Sequence, residues 1–202
     1  MTVGMTTAIS RYPVPDLVDL PEDVRARILS VQEKSGFVPN VFLALAYRPE
    51  EFRAFFPITT RVMEKDSGLS KAVREMIVVA TSAANNWLYC VVAHGAILRV
   101  RAKNPRLADQ VATNYGKAEI TPRQKAMLDF ALQVATASHK VGPADVDVLR
   151  GHGFSGDDVW DIGAIAAFFA LSNRLANLID LRPNEQFHLL CRLAKDRERA
   201  KT

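Results

Sequence analysis

Two apolar segments separated by a pair of asparagines constrain the fold of this chain more than any other feature of its sequence. The first, residues 70–84, has the pattern of a buried helix and begins with a serine, a common helix cap. Asn85-Asn86 breaks the pattern, and a second helix is predicted from there to about Ala102. Helices joined by so short a break are expected to fold back as an antiparallel hairpin over residues 70–103.

The hairpin would bring three chemically useful side chains together. Cys90 and His94 are four residues apart, so on a helix they share one face, a single turn from each other. Glu75 lies ten residues before the first asparagine of the break and His94 eight residues after the second. At ~1.5 Å rise per residue their heights above the turn are about 15 and 12 Å. A carboxylate, an imidazole and a thiol in one place can serve as orienter, base and nucleophile.

Cys90 falls within about the first turn of the second helix, where unpaired N–H groups and the helix dipole favour a thiolate. A protonated His94 would favour it further. We therefore expect the pKa of Cys90 to be depressed. A free cysteine is more often a small buried hydrophobe, and a lone histidine in an apolar helix is more often a core residue. The combination of all three residues at these spacings is what indicates function.

The site carries three motif elements, Glu75, Tyr89-Cys90 and Ala93-His94-Gly95. They resemble the signature of the alkyl hydroperoxidase D and carboxymuconolactone decarboxylase family, and more narrowly its peroxidase-related branch. The resemblance covers nearly the whole chain, from Tyr12-Pro13-Val14-Pro15 to Ser172-Asn173-Arg174-Leu175-Ala176-Asn177. In that family two cysteines lie three residues apart. The second attacks the hydroperoxide, the first resolves it as a disulfide, and a glutamate with a histidine relays the proton.

Residue by residue, the resemblance implies that Cys90 is the attacking thiol, with Glu75 as base and His94 as relay. The position of the resolving cysteine holds Trp87, so the implied antioxidant enzyme, of peroxiredoxin-type activity, needs an external thiol or disulfide reductant to clear the sulfenic acid. Its substrate would be a small-molecule hydroperoxide. Trp87 and Tyr89 are expected to line the pocket. The resemblance also implies an all-α fold, homo-oligomers formed through apolar helix faces, and no cofactor.

Three other interpretations stay open. The first is an enzyme like carboxymuconolactone decarboxylase, in which acid and base groups act and the thiol is incidental. The second is an oligomeric relative that has lost catalysis and binds a small ligand or a partner. The third and least favoured is a zinc site formed by Glu75, Cys90 and His94, which lacks the further ligand that tight zinc sites have.

Length and composition narrow the class of protein. At 202 residues the chain is long enough for one core and short for two independent domains. The net charge of +4 is mild, and the most basic stretch, residues 192–201, is interrupted by acidic residues, so we expect no nucleic-acid partner. Residues 1–10 lack the pattern of a signal peptide, and no stretch approaches the ~20 apolar residues of a membrane span. Two cysteines, 101 positions apart, favour a reducing compartment, so we expect a cytoplasmic protein without membrane contact.

The remaining sequence reads as helix after helix. We expect an extended or disordered arm over residues 1–18 and a single all-helical domain over 19–202, a bundle of about eight to ten helices. Pro57 lies inside a helical pattern and is expected to kink or break it near Phe56.

A long helix is predicted from about Gly156 to Leu178, opened by a capping box of Ser155 and Asp158. It is apolar nearly all round over Ile162 to Leu171, so we expect it to pack against the hairpin or to lie in a subunit interface. Its apolar side chains, such as Phe168, Phe169 and Leu171, exceed what one monomer is expected to bury.

Overall fold

The structure, a computed structural model, describes residues 8–192. Within that range it contains α-helices and three short 3-10 turns but no β-strand. The helices are α1 (Glu22–Ser35), α2 (Asn40–Leu45), α3 (Pro49–Glu64), α4 (Lys71–Ala84), α5 (Leu88–Ala102), α6 (Leu107–Asn114), α7 (Pro122–Ala137), α8 (Pro143–Gly151), α9 (Gly156–Leu178) and α10 (Glu185–Leu189). The predicted all-α bundle is therefore confirmed.

The described part of the N-terminal arm is bound to the end of α9. The backbone N–H of Arg11 donates to the carbonyl of Ile179 at 2.6 Å, and that of Arg182 donates to Ile9 at 3.0 Å. Residues 1–7 of the arm predicted to be extended or disordered lie outside the described residues. The same holds for all but the first residue of the basic stretch 192–201.

The hairpin forms as the sequence predicts. Ser70 caps α4 by accepting a hydrogen bond from the backbone N–H of Val73 at 3.3 Å. After α4 ends, Asn86 takes the left-handed conformation with φ 52°, which asparagine adopts more readily than most residues. This turn reverses the chain before α5 begins, and α4 and α5 then pack along each other.

Helix α3 continues through Pro57, so of the kink or break predicted near Phe56 the break does not occur. A proline inside a helix removes one backbone hydrogen bond and leaves the carbonyl four residues earlier, here that of Arg53, without its usual donor. Pro57 lies on the exposed face of α3, where water can bind that carbonyl. The helix therefore tolerates the proline.

Helix α9 packs against α4 and α7 through one buried face that includes Ile162, Ile165 and Phe169. The predicted capping box is present: Ser155 Oγ accepts from the N–H of Asp158, and the Asp158 carboxylate accepts from the N–H of Ser155. By length and composition alone α9 is apolar enough to span a membrane, contrary to our expectation that no stretch would be. More than half of its apolar window is buried against the other helices.

A buried ion pair joins α4 to α9 one residue before Glu75. Arg74 is fully buried, and its guanidinium donates to Asp161 Oδ2 at 3.0 Å and to the backbone carbonyls of Val62 and Leu69. Lys65 forms a second ion pair with Asp161. Each of the three guanidinium nitrogens of Arg74 donates to an acceptor, and one of these bonds is to Asp161 of α9. The first turn of α4 is therefore held in one position relative to α9.

The apolar core has two parts. The larger part surrounds the α4–α5 hairpin and receives side chains from α6, α7, α8 and α9. A smaller group, which we name the N-terminal cluster, forms between α1, α2 and α3. Its buried members are Leu20, Val24, Ile28, Ala46, Phe52 and Phe56.

Candidate active site

Glu75 and His94 meet across the hairpin. His94 Nδ1 lies 2.7 Å from Glu75 Oε2, the distance of a strong hydrogen bond. Glu75 is on the second turn of α4 and only 2% exposed, whereas the side chain of His94 is 17% exposed. The pair therefore connects a buried carboxylate to an imidazole that reaches the surface.

The contact with Glu75 also decides how the imidazole is oriented. An ionised carboxylate only accepts hydrogen bonds, so with Glu75 ionised it is Nδ1 of His94 that donates, and in a neutral imidazole Nε2 is then left as an acceptor. The ring is held from another side by Phe169 of α9, whose ring meets it edge to face at 4.9 Å between centroids. These two contacts fix the orientation of the imidazole ring.

Arg101 is a third charged member of this group and was not identified from the sequence. Its Nη1 lies 3.6 Å from Glu75 Oε1, and its Nη2 donates to Glu64 at the end of α3. Arg101 follows His94 by seven residues, two turns of the same helix. This spacing places both side chains on one face of α5, so Arg101 could have been identified from the sequence. It compensates the charge of a carboxylate that would otherwise be costly to bury.

Cys90 lies on the same helix as His94, one turn earlier, and is buried with 4% exposure. Burial raises the pKa of its thiol to about 12, and the charge of Glu75 acts in the same direction. The neighbouring polar side chains of Trp87, Ser82 and Ser172 act in the opposite direction and lower the pKa, but by less. The expected depressed pKa is therefore contradicted, because loss of solvation outweighs the position in the first turn of α5.

Ser82, Ser172 and Asn173 were also missed by the sequence analysis. Ser82 follows Glu75 by seven residues on α4, and its hydroxyl donates to Asn173 Oδ1 at 3.2 Å. Ser172 and Asn173 are buried polar residues that directly follow the apolar stretch 162–171 of α9, and that contrast was visible in the sequence.

Trp87 and Tyr89, the two expected pocket residues, are both buried. The hydroxyl of Tyr89 accepts a hydrogen bond from the backbone N–H of Val41 at 3.3 Å, and burial raises the pKa of the phenol. Tyr89 therefore anchors the start of α2 to α5. Trp87 is the N-cap residue of α5 and its indole lies beside the Cys90 thiol.

Other cavities lie away from this group. Clefts of about 390 and 430 Å³ lie between α7 and α8 and beside the first turn of α9, and none of the five predicted site residues lines either of them. Between residues 8 and 192, no set of three His, Cys, Asp or Glu side chains is arranged to hold a metal ion. The zinc interpretation thus receives no support from the geometry.

Comparison with known proteins places this fold in one class, the all-helical alkyl hydroperoxidase D-like proteins. The sequence profile of the carboxymuconolactone decarboxylase family matches residues 49–114, which include α4 and α5. The chain is 66% identical to the alkylhydroperoxidase AhpD core protein, an uncharacterized peroxidase-related protein from Ralstonia eutropha JMP134. That match covers 92% of this chain and 98% of the other, with a TM-score of 0.91.

A second solved structure, an uncharacterized peroxidase-related protein from Silicibacter sp. TM1040, is 39% identical over 92% of this chain and 98% of its own, with a TM-score of 0.85. A debrominase solved with 2,3,4-tribromopyrrole shares the fold, with a TM-score of 0.72 and 20% identity over 91% of this chain and 95% of its own. No curated protein matches the chain significantly. The chain belongs to the carboxymuconolactone decarboxylase family, among its AhpD-like, peroxidase-related members.

Proposed function

We propose that the protein is a thiol-dependent peroxidase that reduces hydroperoxides at Cys90, with Glu75 and His94 relaying the proton. The observation that supports this best is the 2.7 Å contact between His94 and Glu75 on the same hairpin that carries the thiol. The two relatives above 30% identity are named as peroxidase-related, which agrees with this proposal.

The raised pKa of Cys90 defines what the other two residues do. At neutral pH the resting thiol is un-ionised, so it needs a base when the substrate binds. Glu75 accepts a hydrogen bond from the Nδ1–H group of His94, so that Nε2 is free to take the proton of the thiol. The sulfur attacks the terminal peroxide oxygen, an S–O bond forms and the O–O bond breaks. The leaving alkoxide takes the proton from His94 and departs as an alcohol, and Cys90 becomes a sulfenic acid, oxidised by two electrons.

An outside thiol then restores Cys90. One thiol condenses with the sulfenic acid, releasing water and forming a mixed disulfide, and a second thiol displaces Cys90 as a free thiol. Trp87 occupies the position one turn before Cys90, so no cysteine is available there to form an internal disulfide.

The proposal is tested by the intact mass of the protein after one equivalent of tert-butyl hydroperoxide, without added thiol. Wild type should gain one oxygen atom, and Cys90→Ser should gain none. Cys191→Ser is the matched control and should gain the oxygen like wild type. An unchanged mass in wild type, or a gain that persists in Cys90→Ser, would falsify the proposal.

One observation favours a second candidate, an acid–base enzyme of the carboxymuconolactone decarboxylase type. The thiol is neutral and buried, whereas the Glu75–His94 pair is complete and reaches the surface at His94. In that case turnover of a small lactone or carboxylic acid should survive Cys90→Ser and be lost in His94→Gln. If the protein is instead a peroxidase, Cys90→Ser should abolish its turnover.

A further inference from the structure

The thiol of Cys90 lies within a group of hydrogen-bond donors from three elements. Ser82 comes from α4, Trp87 from the cap of α5 and Ser172 from α9, and each interacts favourably with the sulfur when it is ionised. All three side chains are buried. So many polar side chains around one sulfur are unusual in a core that is otherwise apolar.

One donor in this group has no partner among the described residues. Trp87 Nε1 is buried and makes no hydrogen bond of normal geometry. Trp87 is the N-cap residue of α5, three residues before Cys90, and its indole lies beside the thiol. Buried N–H groups are nearly always hydrogen-bonded, so this spare donor beside the sulfur needs an explanation.

The chemistry of sulfur supplies an explanation. A thiol sulfur is a weak acceptor, so in the resting protein the indole N–H has little to bind. An oxygen atom attached to that sulfur is a strong acceptor, and it carries negative charge when the sulfenic acid ionises. The donor therefore matches a product of Cys90 oxidation better than it matches the resting thiol.

We propose that Trp87 Nε1 binds the oxygen atom of the Cys90 sulfenate. This inference rests on the proposed function, which supplies the oxygen from a hydroperoxide. A hydrogen bond to that oxygen withdraws electron density from the sulfur. It thereby slows a second reaction in which a further hydroperoxide adds another oxygen to give the sulfinic acid and an alcohol. The intermediate is thus preserved until an outside thiol reduces it.

The first test observes the indole N–H directly in the folded wild-type protein. The chain has two tryptophans, so its ¹H–¹⁵N spectrum contains two indole signals, which Trp160→Phe assigns. After one equivalent of tert-butyl hydroperoxide, the Trp87 signal should move downfield because its proton gains an acceptor. The exposed Trp160 and the Cys90→Ser variant should show no such shift. An unmoved Trp87 signal in protein that has gained one oxygen overturns the inference.

The second test measures how long the sulfenic acid lasts. Trp87→Phe keeps an aromatic ring and removes the donor, and Trp160→Phe makes the same change at an exposed site. With excess hydroperoxide, the rate of gaining the second oxygen should rise roughly tenfold in Trp87→Phe, the order expected for one hydrogen bond to a charged group. Trp160→Phe should match wild type. Equal rates in all three proteins overturn the inference and leave the peroxidase proposal intact. Failure of wild type to gain the first oxygen overturns both.

Discussion

Cys90 illustrates how strongly its surroundings set the chemistry of a single residue. Burial raises the pKa of its thiol from an ordinary value of 9.0 to about 12. In a Cys191→Ser background, alkylation of Cys90 by iodoacetamide should be slow at neutral pH and should keep rising with pH above 9. The shift also makes the stability of the folded state depend on pH. Above pH 9 the thiol ionises more readily in the unfolded chain than in the folded one, so the folded state loses stability as the pH rises from 9 toward 12. A rate that levels off near neutral pH would contradict this prediction.

Arg101 is the residue whose removal should reveal the burial cost of Glu75. Arg101→Met takes away the cation 3.6 Å from a carboxylate that is almost fully buried. We expect the free energy of unfolding to fall by about 1–3 kcal/mol, since a buried charge loses a partner. Arg106→Met removes a similar side chain from an exposed pair with Glu119, and we expect a change within about 0.5 kcal/mol. Urea denaturation of both variants checks the difference.

At the scale of elements, the close approach between the loop before α4 and the first turn of α9 gives a sharp prediction. A Cβ atom on Gly68 would overlap the carboxylate of Asp158, which is fixed by its hydrogen bonds to Ser155. Gly68→Ala should therefore cost about 1–3 kcal/mol through overpacking.

Gly163 in the middle of α9 provides the control for that substitution. A Cβ atom there meets nothing within 4 Å, so Gly163→Ala should stabilise the protein by about 0.5–1 kcal/mol. Thermal unfolding of the two variants measures both effects, and equal transition temperatures would show that the overlap is relieved without cost.

The elements that the sequence predicts well are those with local signals. Ser70, the Asn85-Asn86 break and the Ser155 capping box all act within a few residues, and each has the predicted role. The break predicted as one outcome at Pro57 is absent, and the sequence did not show this because the effect of the proline depends on whether the face of α3 that carries it is exposed, which only tertiary structure decides.

The site could be predicted in part for the same reason. Glu75 and His94 meet because one short turn fixes the two helices relative to each other. The environment of Cys90 depends instead on burial in a core that includes α9, from which Ser172, more than 80 residues later in the chain, reaches the thiol. Long-range packing of that kind determines solvation, so the direction of the Cys90 pKa shift was not accessible from helical position alone.

At the scale of the whole molecule, the outer face of α9 is the best support for the expected homo-oligomer. Of the three side chains expected to exceed what a monomer buries, Phe169 is buried, Phe168 is partly buried against Phe55, and Leu171 is exposed. Leu171 belongs to an exposed apolar stripe at helical spacing. The stripe consists of Trp160, Leu171, Leu175 and Leu178.

We expect a second copy of the chain to cover this stripe. Light scattering should give a mass above that of one chain for wild type, and the double variant Leu171→Lys, Leu178→Lys should shift it toward the monomer because it places charges in an apolar contact. Leu189→Lys changes an equally exposed leucine on α10 and should leave the mass unchanged. A monomeric wild type would refute the expectation.

The division of the core into two parts has a consequence for how the chain opens. The N-terminal cluster packs mainly within α1, α2 and α3, whereas the α4–α5 hairpin is enclosed by the larger part. Separate groups of apolar contacts can be lost in separate local unfolding events. Deuterium should therefore reach the backbone amides of α1 through an opening that costs less free energy than global unfolding, while the amides of α4 remain protected.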